Sequence, residues 1–443
     1  MNNYLKPLMG LLTLFKRSIS EQHSFNFGQR FLLPSLFFFF SFTFIIPPPV
    51  QAEMLTLEEA LRLTVKHNQK INTARAQEQG TRAALTTALA YPNPEIEVAA
   101  GSSYSRQSGG NSGPNGLVGL SQPLELPSLR SARRKGAEAG LISGTAALGD
   151  VRLTQLTAVK QAFFDVLRKQ EEARLAKENR ALLLQIRHLV KIKVEVGESP
   201  RYELVKSEAE VLSAESNAKS ADLRVIQARD RLRALIGAPL SPKFNVADEP
   251  FLAAALPSLD ELRQELLNRQ PLLKLAEAEK ERASARLEYE RASRLPQPTI
   301  KVSADQEPDI NQWRVGLTLP LPLWNRRQGP IAEATAGVQK AEAELQQIRQ
   351  VLLGELDQVY GRYQIAERQV QIFESGLLNE AEKAMKVAEA AYRYGERGII
   401  DYLDAQRVLR TTRLDFLNAR YELQAALIEM ERLRAVSSLG GGL

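Results

Sequence analysis

Ten positions spaced alternately three and four apart carry only apolar or small residues: Tyr402, Ala405, Leu409, Thr412, Phe416, Ala419, Leu423, Ala426, Met430 and Leu433. Moving back 198 residues gives Leu204, Ser207, Val211, Ala214, Ala218, Ala221, Val225, Ala228, Leu232 and Leu235, again all apolar or small. A mean period of 3.5 residues makes packed helices supercoil left-handed around the seam that the stripe forms. The same seam twice in one register marks a tandem repeat. Other segments recur in the same order. Leu55–Leu63 matches Pro257–Leu266, Tyr91–Pro94 matches Leu295–Pro298, Gly119–Pro127 matches Gly316–Trp324, and Val196–Glu208 matches Tyr394–Gln406. This divides the chain into a first copy, 53–255, and a second, 256–436, followed by a short flexible tail, 437–443.

Each copy holds one helical stretch too long for a compact domain. Ser128–Val196 contains no proline, and Gln328–Tyr394 has only Pro330, in the first turn where proline is tolerated. At 1.5 Å per residue each would run roughly 100 Å unbroken. Each ends at a tight turn, Gly197–Pro200 or Gly395–Gly398, and a return helix follows with the stripe. Leu57–Ala90 and Leu259–Ser293 are also helical in pattern. Many stripe positions are Ala, Ser or Thr, which bring helices close and leave little bulk for a wide core. The pattern predicts a thin wall of helices; an ordinary bundle is the competing reading.

Between the helices lie proline-flanked strands, expected near 94–126 and 298–322. Ile96, Val98 and Ala100 alternate with Glu95, Glu97 and Ala99, and beyond a Gly/Ser/Asn loop Val118, Leu120, Leu124 and Leu126 alternate with Gly119, Ser121 and Glu125. In the second copy Ile300, Val302 and Ala304 alternate with Lys301, Ser303 and Asp305, then Trp313, Val315, Leu317, Leu319 and Leu321 with Arg314, Gly316 and Thr318. One face is apolar and the other charged. Nine to eleven tilted residues is about the length that crosses a bilayer, and a sheet in lipid can have no open edge. Four strands are half the smallest usual barrel. Three chains sharing twelve strands would close one with room for a lumen. Two hairpins packed on a soluble helical domain would satisfy the same alternation.

Composition excludes much else. There is no cysteine, and the only histidines are His23, His67 and His188. A disulfide framework, a thiolate metal site and a Cys nucleophile are therefore impossible. No GxxxxGK[ST], GxSxG or HExxH motif occurs. No catalytic, metal or cofactor site is expected; His67 and His188 read as surface or interface residues. The formal charge of +6 is modest, and bases are interleaved with acids rather than clustered as nucleic-acid binding requires. Half of it belongs to residues 1–52, where Lys6, Lys16, Arg17 and Arg30 face only Glu21. There the apolar run 31–46 is short for a membrane span and ends in Val50-Gln51-Ala52, a small-x-small site. Residues 1–52 thus read as a secretory signal peptide, with an uncleaved anchor as the alternative. No cysteine stands at the cleavage site, so lipid anchoring is not expected.

The order of elements, the repeat and the segment Tyr392-x-x-Gly395…Asp401-x-Leu403-Asp404-Ala405 resemble the outer membrane factors, the TolC-type channels of Gram-negative bacteria. The likeness covers essentially 53–436. The Pro-Asn-Pro lead into the first strand and Leu319–Ala334 look most like the heavy-metal, CzcC-type branch. The resemblance implies a mainly α fold with a small membrane β part. Long coiled-coil helices would form a periplasmic α-barrel beneath a trimeric twelve-stranded outer-membrane β-barrel. It also implies a passive exit duct in the outer membrane, reaching into the periplasm. That duct would serve a periplasmic adaptor and an inner-membrane pump, expected to be of the resistance-nodulation-division type. Carried over to this chain, the resemblance makes Asp401 and Asp404 a selectivity ring at the periplasmic tip. Tyr392, Arg397 and Glu203 become the latch that closes it, and the turns at Gly197, Gly395 and Gly398 the adaptor contacts. The two aspartates could instead simply favour the positive start of their helix. A duct for type I protein secretion or drug efflux, and a soluble periplasmic scaffold or adaptor, are the competing functions.

Overall fold

The computed structural model describes residues 54–106, 109–242, 244–249 and 256–436. The expected signal peptide, 1–52, and tail, 437–443, lie outside the described residues. The first half runs β1 (Met54–Leu55), α1 (Leu57–His67), α2 (Gln69–Leu89), β2 (Glu95–Ser103), β3 (Gly113–Pro123), α3 (Pro127–Glu195), α4 (Arg201–Ile236) and β4 (Asn245–Val246). The second runs α5 (Leu259–Arg269), α6 (Pro271–Ala292), β5 (Thr299–Gln306), β6 (Asn311–Thr318) and α7 (Gln328–Ile372). After a π-turn at Phe373–Leu377 come α8 (Leu378–Arg393) and α9 (Ile399–Leu433).

Local chemistry starts and stops these elements in parallel ways. The Thr56 hydroxyl accepts from Glu59 N at the head of α1, and Ser258 with Glu261 forms a capping box at the head of α5. The two opening helices expected as single rods each break at one polar residue. Asn68 Oδ1 caps α2 by accepting from Lys70 N and Ile71 N, while its Nδ2 donates to Leu235 O at 2.7 Å. In the second half Gln270 precedes Pro271, and its Nε2 donates to Arg432 O and Leu433 O at 3.3 Å. Each break ties the end of a return helix, α4 or α9, to the middle of the molecule.

α3 is unbroken over 69 residues and is shared by two layers of packing. Toward the sheet the order of neighbours is α2, α3, α6, α7; toward the far end it is α4, α3, α9, then α7 and α8. The long helices lie side by side, as the small-residue seam predicts, and only at mid-height does a second layer cover them, where α1 packs on α3 and α4 and α5 on α7. Along α4 the stripe positions Ser207, Val211, Ala214, Ala218, Ala221, Val225, Ala228 and Leu232 are all buried. Apolar clusters pin the wall at mid-height in each half, one around Phe163, Leu232 and Phe244, the other around Leu266, Leu356 and Met430. One glycine of α3, Gly144, marks a close approach to α2. A Cβ on Gly144 would stand 2.5 Å from Thr81 Oγ1 and 2.9 Å from its Cγ2. Gly144→Val should therefore lower stability by about 1–3 kcal/mol through overpacking, read as a fall in melting temperature in detergent. Gly140→Ala, at a helix-interior site that no neighbouring element approaches within 4 Å, should instead raise stability by about 0.5–1 kcal/mol.

The second long helix differs from the 67-residue rod that the sequence suggests. In α7 the buried face is Leu352, Leu356, Val359, Tyr363, Ala366 and Val370, and in α8 it is Ala381, Met385 and Tyr392. Steps of three and four carried on from Val370 would reach 380, 384 and 391. The face has slipped by one residue, and the π-turn absorbs it, with Gly376 at φ 148° and ψ −18°.

The four long strands form one antiparallel sheet in the order β2-β3-β5-β6. Register brings Ile96, Leu120, Val302 and Val315 into one row and Val98, Val118, Ala304 and Trp313 into the next. On the other face Glu97, Gly119, Ser303 and Arg314 align. The ladders stop at Pro123 and Thr318, short of the expected 126 and 322, because prolines at 123, 320 and 322 bring no N–H to the pairing.

Candidate functional site

Both helix turns lie at the end of the wall away from the sheet. α3 stops where Gly197 turns left-handed (φ 80°), which returns the N–H groups of Glu198 and Ser199 to Lys193 O at 2.8 and 3.2 Å. α8 stops identically: Gly395 has φ 76°, and Glu396 and Arg397 N–H return to Ala391 O at 2.9 and 3.3 Å. A Cβ at either glycine would have to enter the same strained region. Gly398 differs. It is the N-cap of α9 with φ −79° and ψ 168°, extended backbone that any residue adopts.

Beneath the turns one apolar cluster joins all four helices through Ile186 and Val190 of α3, Val211 of α4, Met385 and Tyr392 of α8, and Ile399 and Tyr402 of α9. Tyr392 is its hub. Its ring stacks on Tyr402 with centroids 5.8 Å apart. Lys193 Nζ sits 4.8 Å above the ring and donates to Tyr392 O at 3.0 Å. The buried hydroxyl lies beside Glu203 and Ser199. Burial, and after it the Glu203 carboxylate, push the phenol up to about 12, so it stays protonated and keeps a proton to donate. Neither that hydroxyl nor Glu203 Oε2 completes a well-formed hydrogen bond.

Of the three expected latch residues, then, Tyr392 and Glu203 are brought together within the chain and Arg397 is not. Arg397 lies exposed in the second turn, with no ion pair among the described residues. Lys193 and Tyr402 are partners that sequence reasoning did not assign to the tip. Tyr402 was visible as the first member of the stripe; Lys193 carried no signal of its own.

Asp401 and Asp404 are both exposed, on the side of α9 away from buried Tyr402, Leu403 and Gln406. Neither is ion-paired among the described residues. Asp401 is the third residue of the helix, where the backbone dipole favours an acid; Asp404 is the sixth, beyond the first turn to which that effect is confined. Helix-start stabilisation thus accounts for one of the two. His67 ends α1 half-buried, and His188 is exposed on α3. Among the described residues no group of three or more His, Asp or Glu is placed to hold a metal ion.

At the opposite end the sheet leaves its whole apolar face open, with Ile96, Val98, Val118, Trp313, Val315 and Leu317 all exposed. β2 and β6 each have a single partner strand. No helix among the described residues is long and apolar enough to cross a membrane.

A family model described as "Outer membrane efflux protein" matches residues 60–238 and 262–435, so two separate stretches together take up most of the chain. The cobalt-zinc-cadmium resistance protein CzcC of Cupriavidus metallidurans is 28% identical over 388 residues, covering 87% of this chain and 91% of that protein. The pyoverdine export outer membrane protein OpmQ of Pseudomonas aeruginosa is 24% identical over 409 residues, covering 87% of this chain and 83% of its own. Among solved structures, CusC superposes with a TM-score of 0.76 at 19% identity, over 87% of this chain and 92% of that one.

Proposed function

The chain belongs to the outer membrane efflux protein family, and from that premise we propose that it is the passive exit duct of a tripartite efflux system, assembled as a homotrimer. The observation that carries this reading is a pair of complementary unfinished edges. β2 and β6 are open on opposite sides of the sheet, so the β6 of one chain can pair with the β2 of the next until twelve strands close. The wall below is open in the same sense. α4 buries one stripe on α3 and exposes a second with the same spacing, Tyr202, Val205, Leu212, Leu223 and Ile226. Across the wall, α7 and α8 expose Val351, Ile365, Ile372 and Val387. Three chains bury both faces at once.

In this reading residues 53–255 and 256–436 are two copies of one unit, preceded by a secretory leader at 1–52 and followed by a tail at 437–443. The chain performs no catalysis and needs no cofactor. Energy and chemical choice come from an inner-membrane pump, of the resistance-nodulation-division type, joined through a periplasmic adaptor at the Gly197, Gly395 and Gly398 turns. Heavy-metal cations are the proposed cargo. The similarity to CzcC supports this, as do the free carboxylates of Asp401 and Asp404, six in a trimer, which would draw cations to a narrow opening and repel anions.

Tyr392 and Glu203 form the fixed part of the latch, and Arg397 supplies the movable part by reaching an acid across the subunit boundary. Stepwise conductance of the reconstituted protein in a planar bilayer tests the duct. Arg397→Ser should raise resting conductance severalfold; no rise removes the latch while leaving the duct in place.

A further inference from the structure

We propose that the strap Leu319–Trp324 anchors the chain in the phospholipid leaflet nearest the helices, with the Trp324 ring at the level of the glycerol backbone and Arg326 against lipid phosphates. The proposal rests on the outer-membrane reading above.

The apolar face of β6 does not end where its ladder ends. Trp313, Val315 and Leu317 are continued at the same two-residue spacing by Leu319, Leu321 and Leu323, all exposed, and then by Trp324, which is 89% exposed. Prolines at 320 and 322 end the pairing; the apolar face runs on through Leu321, and a turn closed by Leu323 N–H onto Leu321 O at 2.9 Å then bends the chain at Leu323 and Trp324. Length requires such an extension. β5 and β6 have eight residues each. At about 3.3 Å per residue and a tilt near 40° they rise roughly 20 Å, against an apolar band of about 25 Å. The shortfall of about 5 Å is two further residues at that tilt, which puts Leu319 in hydrocarbon, Leu321 at its edge, and Leu323 and Trp324 in the interfacial layer just beyond.

The rest of the rim agrees. Exposed apolar residues stand at the same end of every strand: Tyr91 before β2, Leu124 after β3 and Leu295 before β5. The Arg130 guanidinium lies 3.9 Å above the Tyr91 ring, so an aromatic and an arginine occur together here as they do in Trp324 and Arg326. Tryptophan, tyrosine and arginine partition to this boundary because each offers an apolar body and a polar tip.

The strap is also held in place. Arg327 adopts φ 57° and turns its guanidinium inward onto buried Glu290, with Nε at 3.0 Å from the carboxylate. The adjacent Arg326 is exposed and has no ion pair among the described residues, a free cation at the depth where phosphates lie.

The chain has two tryptophans, which makes the test direct. Trp313→Phe leaves Trp324 as the only emitter, and Trp324→Phe leaves Trp313, on the membrane face of β6. Each variant is reconstituted into phosphatidylethanolamine–phosphatidylglycerol vesicles whose acyl chains are brominated close to the headgroup. Trp324 emission should be blue-shifted and fall at least about twofold relative to unbrominated vesicles. Unquenched, water-like emission from Trp324 with quenching of Trp313 overturns the strap alone. Loss of quenching at both overturns the membrane reading on which it rests. Arg326→Glu, which sets a carboxylate among the phosphates, should shift Trp324 emission toward that of water; unchanged emission removes Arg326 from the contact.

Discussion

Val315→Arg is expected to abolish assembly in the outer membrane. Val315 sits mid-strand in β6, opposite Val302 in the middle of the apolar face. An arginine on the lipid face at mid-bilayer costs about 2–4 kcal/mol in a transmembrane barrel. A trimer meets that cost in each of its three chains. The sum is comparable to the whole stability of an ordinary domain. If the hairpins instead lay on a soluble domain, Val315 would remain the 64% exposed surface residue of the isolated chain, and the substitution would cost no more than about 0.5 kcal/mol. Gln312→Arg is the matched control. It lies on the same strand but on the polar face, opposite Asp305, and should assemble normally. Membrane fractionation and the trimer band in mild detergent distinguish the outcomes, and equal assembly of both variants would sink the barrel.

Asp401→Ala combined with Asp404→Ala should lower cation-over-anion selectivity by at least about tenfold, the equivalent of 1.4 kcal/mol, since six charges leave a confined opening. Block by divalent cations should weaken in parallel. The Asn pair keeps the side-chain volume and removes only charge, so it should behave as the Ala pair does. Selectivity unchanged in both, measured as reversal potential in a salt gradient, would leave the aspartates as helix-start residues and nothing more. The separate variants add a check. Asp401 alone occupies a position the helix dipole favours, so Asp401→Ala should also cost a few tenths of a kcal/mol in stability, up to about 1 kcal/mol, whereas Asp404→Ala should not.

Much of the architecture was readable before any coordinates because it depends on period. The 3,4 spacing of small residues in α4 encodes a close, side-by-side seam, and each of those residues from Ser207 to Leu232 is buried where the spacing puts it. The two-residue alternation from Ile96 to Leu317 encodes a single apolar sheet face in the same way. What escaped was set by single residues acting at a distance. Asn68 reads as an ordinary helix residue until its side chain is seen holding Leu235 O, 167 positions away. Lys193 gains its place only from the turn that brings Tyr392 O beside it. The break in the second long helix did leave a trace: from Val370 to Ala381 the buried face advances 11 residues where steps of three and four would have given 10. At the tip, Tyr392 and Glu203 were expected together only through the family resemblance; one stands before the second turn and the other after the first, and the fold sets the Glu203 carboxylate beside the Tyr392 hydroxyl. The partner of Arg397 was not legible, since among the described residues it forms no ion pair.

That break has a mechanical consequence. One surplus residue would turn everything after it by roughly 100° about the helix axis; the π-turn takes up that residue, so Ala381, Met385 and Tyr392 stay on the buried face that Leu352 to Val370 occupy above it. The first half has no such interruption, because α3 continues straight past the same height. A torsional load at the mouth can thus be taken up at Phe373–Leu377 as a clutch takes up slip. Movement of α8 there would have to part the apolar cluster that Ile186 and Val190 share with Met385 and Tyr392, while α9, held at its far end by Gln270 and Glu355, would keep the shaft nearer the membrane together.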